Sequence, residues 1–309
     1  MSDPFPRKST QPHRINNIVK TSIKSISSTK LACYFGLVLV LWGLTASTVQ
    51  AQIINLNSGN SSVSINTASQ AGMYNWIVGG QNQLNQQWFW YRIGSTGPEA
   101  SINTVSAPSI SQLSASIAQT TYANSIFSAT ILYSLVGGSA QSGASDLSEQ
   151  ISIQNLTATT LSYHFFQYAD FNLGGTPNND TGQLDSLGHM YGGVIQYDGH
   201  GCQISEYVDT AVSRPANHGE IGNGSSLLNS LNDGSATTFN GSTATTGNVN
   251  WGLEWDVNIV PGGTLIISKD LNLVGGPVSS VPEPGTWGFA LLGMLSLGLF
   301  RYKLQRRTS

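Results

Sequence analysis

Two carboxylates that could do chemistry stand on one predicted strand. Residues 251–259 alternate large apolar and polar side chains, and Glu254 and Asp256 fall on the polar face. At positions i and i+2 their α-carbons would lie about 6.6 Å apart, and paired carboxylates at such distances can hydrolyse glycosides with retention. The water-facing side of a sheet explains the same pattern. We therefore expect both carboxylates to face solvent, while Trp251 and Trp255 point into one core.

The same segment is similar to part of a known glycosidase strand. Glu254-Trp-Asp256-Val-Asn258 matches the beginning of the Glu-x-Asp-x-Glu strand of laminarinase-type glycosidases, which are jelly rolls. Asn258 stands where that pattern has its second glutamate, the acid/base. Because an amide cannot shuttle the proton, the resemblance does not supply a complete catalytic pair, and we expect no enzymatic activity.

Residues of metal-binding type occur without a recognised ligand spacing. The four histidines of the central region form no His-x-Glu-x-x-His or similar motif: His164, His189, His200 and His218. Asp170, Asp180 and Asp185 lie in an oxygen-rich stretch that suits calcium, although the spacing is not that of an EF-hand loop. An ordinary Asx-rich turn is the alternative. We expect no cofactor, with calcium left open.

Four consecutive aromatic residues, Trp88 to Tyr91, form part of another predicted strand. Trp88 and Trp90 share one face of it, and Phe89 and Tyr91 share the other. An exposed pair would make a sugar-stacking surface, which makes Trp88 and Trp90 candidate carbohydrate contacts. Core packing on both faces is the favoured interpretation.

The N-terminus has the three parts of a secretory signal peptide, predicted to span residues 1–51. Six basic residues precede an apolar run over residues 31–44, and small and polar residues 45–51 follow. We expect signal peptidase to cleave between Ala51 and Gln52, after export through the Sec translocon. An uncleaved anchor helix is the alternative, although the run is shorter than the ~20 residues of a spanning helix.

The C-terminal residues 281–309 combine a proline motif, an apolar run and a basic end. The motif is Val281-Pro282-Glu283-Pro284, and the apolar run over residues 287–300 predicts a transmembrane helix at 287–304. The prolines keep the motif out of sheet and helix. The basic cluster keeps the terminus on the cytoplasmic side of the membrane; it consists of Arg301, Lys303, Arg306 and Arg307.

This arrangement resembles the PEP-CTERM sorting signal, and Pro282-Glu283-Pro284 is the tripeptide after which that signal is named. The resemblance covers about 29 residues and leaves the preceding domain unassigned. It implies processing by an exosortase, a membrane cysteine transpeptidase of Gram-negative bacteria that make extracellular polysaccharide. The protein would be held at the inner membrane by its C-terminal helix before processing, and then reach the cell surface or the medium. A plain tail anchor is the alternative.

The region between the two signals is acidic. Residues 52–280 contain three basic and fourteen acidic residues, which gives a net charge of −11 where the whole chain carries −3. Binding to phosphate backbones requires clustered Lys and Arg. We therefore expect no nucleic-acid partner.

Two-residue alternation recurs along residues 52–274, with a linker at 275–280. Strands without intervening amphipathic helices predict one all-β domain, an antiparallel β-sandwich, with a jelly roll as one form of it. The strand at 160–169 has bulky residues on both faces, which predicts a central strand covered on both sides. One short helix is predicted at 225–231 and a long surface loop at 235–250. The turn Pro261-Gly262-Gly263 predicts a β-hairpin between 251–259 and 264–268.

These features predict an exported cell-envelope or extracellular-matrix protein that is structural or adhesive, with polysaccharide as a possible partner. A carbohydrate-binding module is the first alternative. A secreted glycoside hydrolase that uses Glu254 and Asp256 is the second.

Overall fold

Alternating apolar and polar residues give this chain its strands, since every second side chain of a strand faces the same way. The computed structural model describes residues 52–209 and 214–275, and the strands there build two large antiparallel sheets packed face to face. The predicted antiparallel β-sandwich is confirmed. Its two sheets, with nine strands each in the described part of the chain, hold more strands than the eight of a whole jelly roll.

The first sheet, sheet A, contains the strands that will carry the candidate site. With strands numbered along the chain, it consists of β1 (Ile53–Ser58), β2 (Ser61–Asn66), β3 (Gly72–Val78), β4 (Gln81–Asn82), β5 (Leu84–Ile93), β6 (Ala100–Ser101), β11 (Leu161–Phe171), β15 (His218–Asn223) and β17 (Val249–Ile259). Their order is β1-β2-β3-β5-β11-β17-β15, with β4 beside β3 and β6 beside β5. A short contact between β3 and β5 is parallel.

The second sheet, sheet B, consists of β7 (Ser109–Gln112), β8 (Ile117–Ala123), β9 (Phe127–Gly137), β10 (Ala144–Asn155), β12 (Asp180–Leu187), β13 (Met190–Tyr197), β14 (Gln203–Val208), β16 (Ala244–Gly247) and β18 (Thr264–Val274). Their order is β16-β12-β13-β14-β18-β10-β9-β8-β7. The short helix α1 (Ser226–Ser230) confirms the helix predicted nearby, and 3-10 turns lie at Ile102–Thr104 and Leu173–Gly175.

The last two strands lie inside different sheets, so the predicted β-hairpin is wrong. β17 pairs with β11 and β15 in sheet A, whereas β18 pairs with β14 and β10 in sheet B. The turn at 261–263, with Gly262 at φ 69°, therefore carries the chain from one sheet to the other. Both strands have apolar residues at alternating positions, and each buries them against the opposite sheet instead of pairing with its sequence neighbour.

The core between the sheets is rich in aromatic side chains. Trp251 stacks on Phe171 at 5.2 Å between ring centroids, and Trp255 lies 6.0 Å from Phe165. Both indoles are fully buried, as the sequence predicted. Residues 165–171 of β11 are buried at every position, which confirms that this strand is central and covered on both faces.

A buried ionic network also lies between the sheets. Lys269 forms an ion pair with Glu149, its cross-strand neighbour, and its Nζ lies 3.5 Å from Oε1 of Glu206. From sheet A, Gln87 donates a hydrogen bond to Glu149 (2.7 Å) and Gln167 donates one to Glu206 (2.6 Å). One cation thus faces two carboxylates in the core, and burial raises the pKa of Glu149.

The predicted surface loop at 235–250 is partly wrong. Residues 244–247 form the edge strand β16 of sheet B, β17 begins at Val249, and Phe239 is buried.

No helix among the described residues is both long enough and apolar enough to cross a membrane. The predicted signal peptide and the predicted C-terminal helix, with the sorting motif at 281–284, lie outside the described residues.

Candidate functional site

Cross-strand register gathers five ionisable side chains on the face of sheet A that points away from sheet B. Arg92 on β5 pairs with His164 on β11, and His164 pairs with Asp256 on β17. His218 on β15 pairs with Glu254, which is two residues from Asp256 on the same strand. Side chains directly opposite each other in neighbouring strands lie close enough to interact. We call these five residues the outer cluster.

Three members of the outer cluster form a row that reaches solvent. Nδ1 of His164 contacts Oδ1 of Asp256, and Nε2 of His218 lies 3.2 Å from Oδ2 of the same carboxylate. The exposed fractions of the three side chains increase along the row, from 14% for His164 to 31% for Asp256 and 37% for His218. The backbone N–H of Asp256 donates to Oδ1 of Asn217 at 2.9 Å. The row therefore offers both donors and acceptors to a ligand in solution.

Glu254 lies beneath this row and is fully buried. Its Oε2 accepts a hydrogen bond from the backbone N–H of Phe239 at 2.9 Å. Its Oε1 makes no hydrogen bond and lies 3.9 Å from both His164 Nδ1 and Arg92 Nη2. Burial, assisted by the nearby charge of Asp256, raises the pKa of the Glu254 carboxyl to about 8. The expectation that both carboxylates face water is thus wrong for Glu254, although it does point away from the two indoles.

Residues 232–243, which we call the cover segment, enclose Glu254. The ring of Phe239 lies against Phe166 at 5.8 Å between centroids. It also occupies the space above Gly252, where an added Cβ would approach the ring to 2.4 Å. A residue without a side chain is therefore needed on β17 for the ring to reach the sheet.

Arg92 ties the cover segment to sheet A. Its guanidinium pairs with Glu99, donates to the carbonyl of Thr237 at 2.8 Å and lies 5.3 Å from the ring centre of Phe166. The backbone N–H of Thr237 in turn donates to Oε1 of Glu99 at 2.9 Å. These contacts fix the segment that the sequence had suggested was only a polar surface loop.

The aromatic pair proposed for sugar stacking is not exposed. Trp88 and Trp90 are both buried. Nε1 of Trp88 donates to Oγ of Ser101 at 3.0 Å, and the Trp90 ring packs edge-on against Tyr168 at 6.4 Å. The carbohydrate-contact prediction for Trp88 and Trp90 is therefore wrong, and the favoured core packing describes them.

The three calcium candidates do not converge on one point. Asp170 accepts a hydrogen bond from Asn85 at 2.9 Å, Asp180 accepts one from Gln196, and Asp185 is exposed on β12. Burial raises the pKa of Asp180 to about 6. Within the described ranges, the group of acidic and histidine side chains close enough to share an ion is a different one. The structure thus does not support a calcium site at these three residues.

A surface cavity of about 590 Å³ lies away from the outer cluster. Gln81, Gln83, Asp198, His200 and Cys202 contribute to its lining. Oδ1 of Asp198 accepts the backbone N–H groups of His200 (2.7 Å) and Cys202 (2.9 Å). Oδ1 of this carboxylate therefore closes a turn at the edge of the cavity.

Sequence reasoning named four members of the outer cluster but did not join them. His164 and His218 were considered among scattered histidines, and Glu254 and Asp256 as an isolated pair. Arg92 was missed. Arg92 is one of the three basic residues in positions 52–280, and a lone base near the end of an apolar strand was the available signal.

Comparison with known proteins identifies a fold. No protein-family model matches the chain, and no curated protein matches it. Among solved structures, a bacterial glucoamylase in complex with acarbose has a TM-score of 0.51 at 9% identity, and the match covers 76% of this chain and 35% of the glucoamylase.

Two further solved structures match at lower TM-scores. A putative aldose 1-epimerase from Escherichia coli K12 has a TM-score of 0.48 at 10% identity, and the match covers 72% of this chain and 98% of that one. A galactose mutarotase-like protein from Lactobacillus casei has a TM-score of 0.46 at 8% identity, with 72% and 100% covered. This chain spans about a third of the glucoamylase's length. At 9% identity, the similarity between the two proteins is one of fold alone.

Proposed function

We propose that the protein is an exported cell-envelope or matrix protein that binds carbohydrate through the outer cluster, in a structural or adhesive role. The observation that carries this proposal is the solvent-reaching row of His164, Asp256 and His218 on the outer face of sheet A. Imidazole and carboxylate groups held in a fixed row can donate to and accept from neighbouring sugar hydroxyls.

Two further observations support a carbohydrate ligand. The acidity of residues 52–280 disfavours phosphate-rich partners, whereas sugar hydroxyls are uncharged. The fold is shared with a protein whose solved complex contains acarbose. Neither observation selects a particular sugar, so a panel of saccharides is the appropriate probe.

Binding without hydrolysis fits the position of Glu254. A retaining glycosidase places two carboxyl groups on either side of the scissile bond. Glu254 instead lies under the cover segment, with one oxygen bonded to the Phe239 N–H and the other directed at Arg92 and His164. A sugar on the outer face would meet Asp256 but would be separated from Glu254 by protein atoms.

Binding can be tested by calorimetric titration with α-glucans, β-glucans and galactans. We expect Asp256→Asn and His218→Ala to lose about tenfold in affinity, or about 1.4 kcal/mol, for the saccharide that binds. Asp185→Asn is a matched control, because Asp185 is an exposed aspartate on a strand of sheet B. Affinity that survives in both outer-cluster variants would refute this assignment, and hydrolysis lost in Glu254→Gln would refute the non-catalytic role.

Export and sorting form the second half of the proposal and rest on the signals at the two ends. We expect the mature protein to begin at Gln52 and to be processed near Pro282-Glu283-Pro284 by an exosortase-like enzyme. N-terminal sequencing and the mass of the envelope-associated form test both cleavages. A mature chain that begins at Met1 would contradict export by this signal.

A further inference from the structure

We propose that the outer cluster binds a divalent transition-metal ion of the Zn²⁺ class, with His164, Glu254 and Asp256 as its ligands. One donor atom from each of these residues lies within 4.8 Å of the other two. An imidazole nitrogen and two carboxylate oxygens are a common ligand set for Zn²⁺ and its neighbours in the first transition row. The proposal does not require that a sugar binds.

The orphaned oxygen of Glu254 is the independent observation that points to a ligand. Oε1 of Glu254 is buried, has no hydrogen-bond partner and lies 3.9 Å from Nδ1 of His164. A buried polar atom without a partner carries a desolvation penalty of about 1–3 kcal/mol, and more when the atom is charged. A cation between Glu254 and His164 would give this oxygen the partner that the protein itself does not provide.

The charge balance favours a cation at the same place. Arg92, Glu99, Glu254 and Asp256 carry one positive and three negative charges when all four are ionised, which leaves a net charge of −2 with neutral imidazoles. Arg92 is already paired with Glu99, so its approach to Glu254 remains at 3.9 Å. Buried carboxylates need a paired charge. A divalent ion that displaced the proton held by Glu254 would bring the cluster to neutrality.

His218 has the position of a supporting residue. Its Nε2 lies 3.2 Å from Oδ2 of Asp256, the carboxylate oxygen opposite to the one that contacts His164. Hydrogen bonds to a ligating carboxylate orient it, and losing such a partner typically lowers metal affinity by about 10–100-fold. Because His164 and Asp256 are partly exposed, an ion can reach the cluster from solvent.

The test is titration of the full chain with metal ions alone. The protein is purified in detergent through an affinity tag without histidines, stripped with a chelator and titrated with Co²⁺, whose visible absorption reports nitrogen and oxygen ligands. We expect saturation at one equivalent and displacement of the signal by Zn²⁺. His164→Ala and Asp256→Ala should each weaken binding by more than about 100-fold, and His218→Ala by about 10–100-fold.

His189→Ala is the matched control, because His189 is an exposed histidine outside the outer cluster. Circular dichroism of each variant without metal establishes that it is folded, and Glu254→Gln, an isostere, tests the buried ligand with the least disturbance. Absence of saturable binding in the wild-type chain, or equal binding in the His164, Asp256 and control variants, would overturn the proposal. Saccharide titrations with the chelator present would then test the proposed function separately.

Discussion

The substitution Glu254→Gln should abolish the pH dependence that one buried carboxyl imposes on the free energy of unfolding. Burial raises the pKa of Glu254 to about 8 in the fold, from 4.5 for a glutamate in water. A group whose pKa is raised by folding contributes stability that is complete below its unfolded pKa and is lost as pH rises through its folded pKa. Between pH 4.5 and pH 8 the wild-type protein should therefore lose on the order of 4 kcal/mol, at about 1.36 kcal/mol per pH unit over most of the interval. Glutamine retains an acceptor for the Phe239 N–H but does not ionise.

Urea unfolding at pH 5, 6, 7 and 8, with a chelator present, measures this difference directly. We expect the two proteins to be similar at pH 5 and the variant to be more stable at pH 8. Asp185→Asn removes an exposed aspartate from sheet B and should follow the wild-type curve at every pH. A difference between wild type and Glu254→Gln that is constant from pH 5 to pH 8, or that favours the wild type as pH rises, would refute the enclosure of Glu254 by the cover segment.

Three further predictions concern the core and the sorting signal. Trp255→Ala should lower the free energy of unfolding by about 3–5 kcal/mol, because the indole is fully buried and donates a hydrogen bond to the Arg214 carbonyl at 2.9 Å. Denaturant unfolding measures this loss, and a value below about 1 kcal/mol would contradict the packing. Lys269→Met should lower the free energy of unfolding by about 3–5 kcal/mol at pH 8, because it leaves Glu149 and Glu206 buried without a cation. This loss should become smaller in acid, where carboxyl groups are protonated. Replacing Pro282-Glu283-Pro284 by alanines should block C-terminal processing in the native host while the melting curve stays unchanged, and normal trimming on immunoblots would reduce the motif to a linker.

The two-layer all-β architecture could be predicted because alternation is a local property of each strand. Trp251, Leu253 and Trp255 stand at every second position, and burial on the inner face follows from that spacing. Strands such as Asp180–Leu187 escaped prediction because their polar and glycine residues carry little hydrophobic signal. The β17–β18 hairpin was predicted wrongly because a short Pro-Gly-Gly turn can connect two sheets as readily as two neighbours.

The outer cluster depends on register between strands that are distant in sequence. The pairing of β11 with β17 brings His164 and Asp256 together. No local sequence pattern predicts which strands of a sheet become neighbours. The burial of Glu254 could not be predicted for a second reason. It requires Phe239, a single aromatic residue in a segment rich in Ser, Thr, Asn and Gly, to fold back over Gly252. The composition of the cover segment indicated solvent exposure, but the packing of the Phe239 ring against sheet A buries Glu254 instead.

The interior position of the last two strands bears on the order in which the molecule can assemble. β10 pairs along its length with β18, and Ile267 is the cross-strand partner of Ile151. In the same way, β11 pairs with β17. A chain that emerges N-terminus first from a ribosome or a translocation pore cannot complete sheet A until Ile259 has emerged, or sheet B until Val274 has emerged. Until then β11 and β10 each expose an unpaired edge, and pairings of such long sequence separation form slowly. The domain should therefore remain open throughout its passage and close only when its final strands arrive, and a truncation before Val249 should divide both sheets at once.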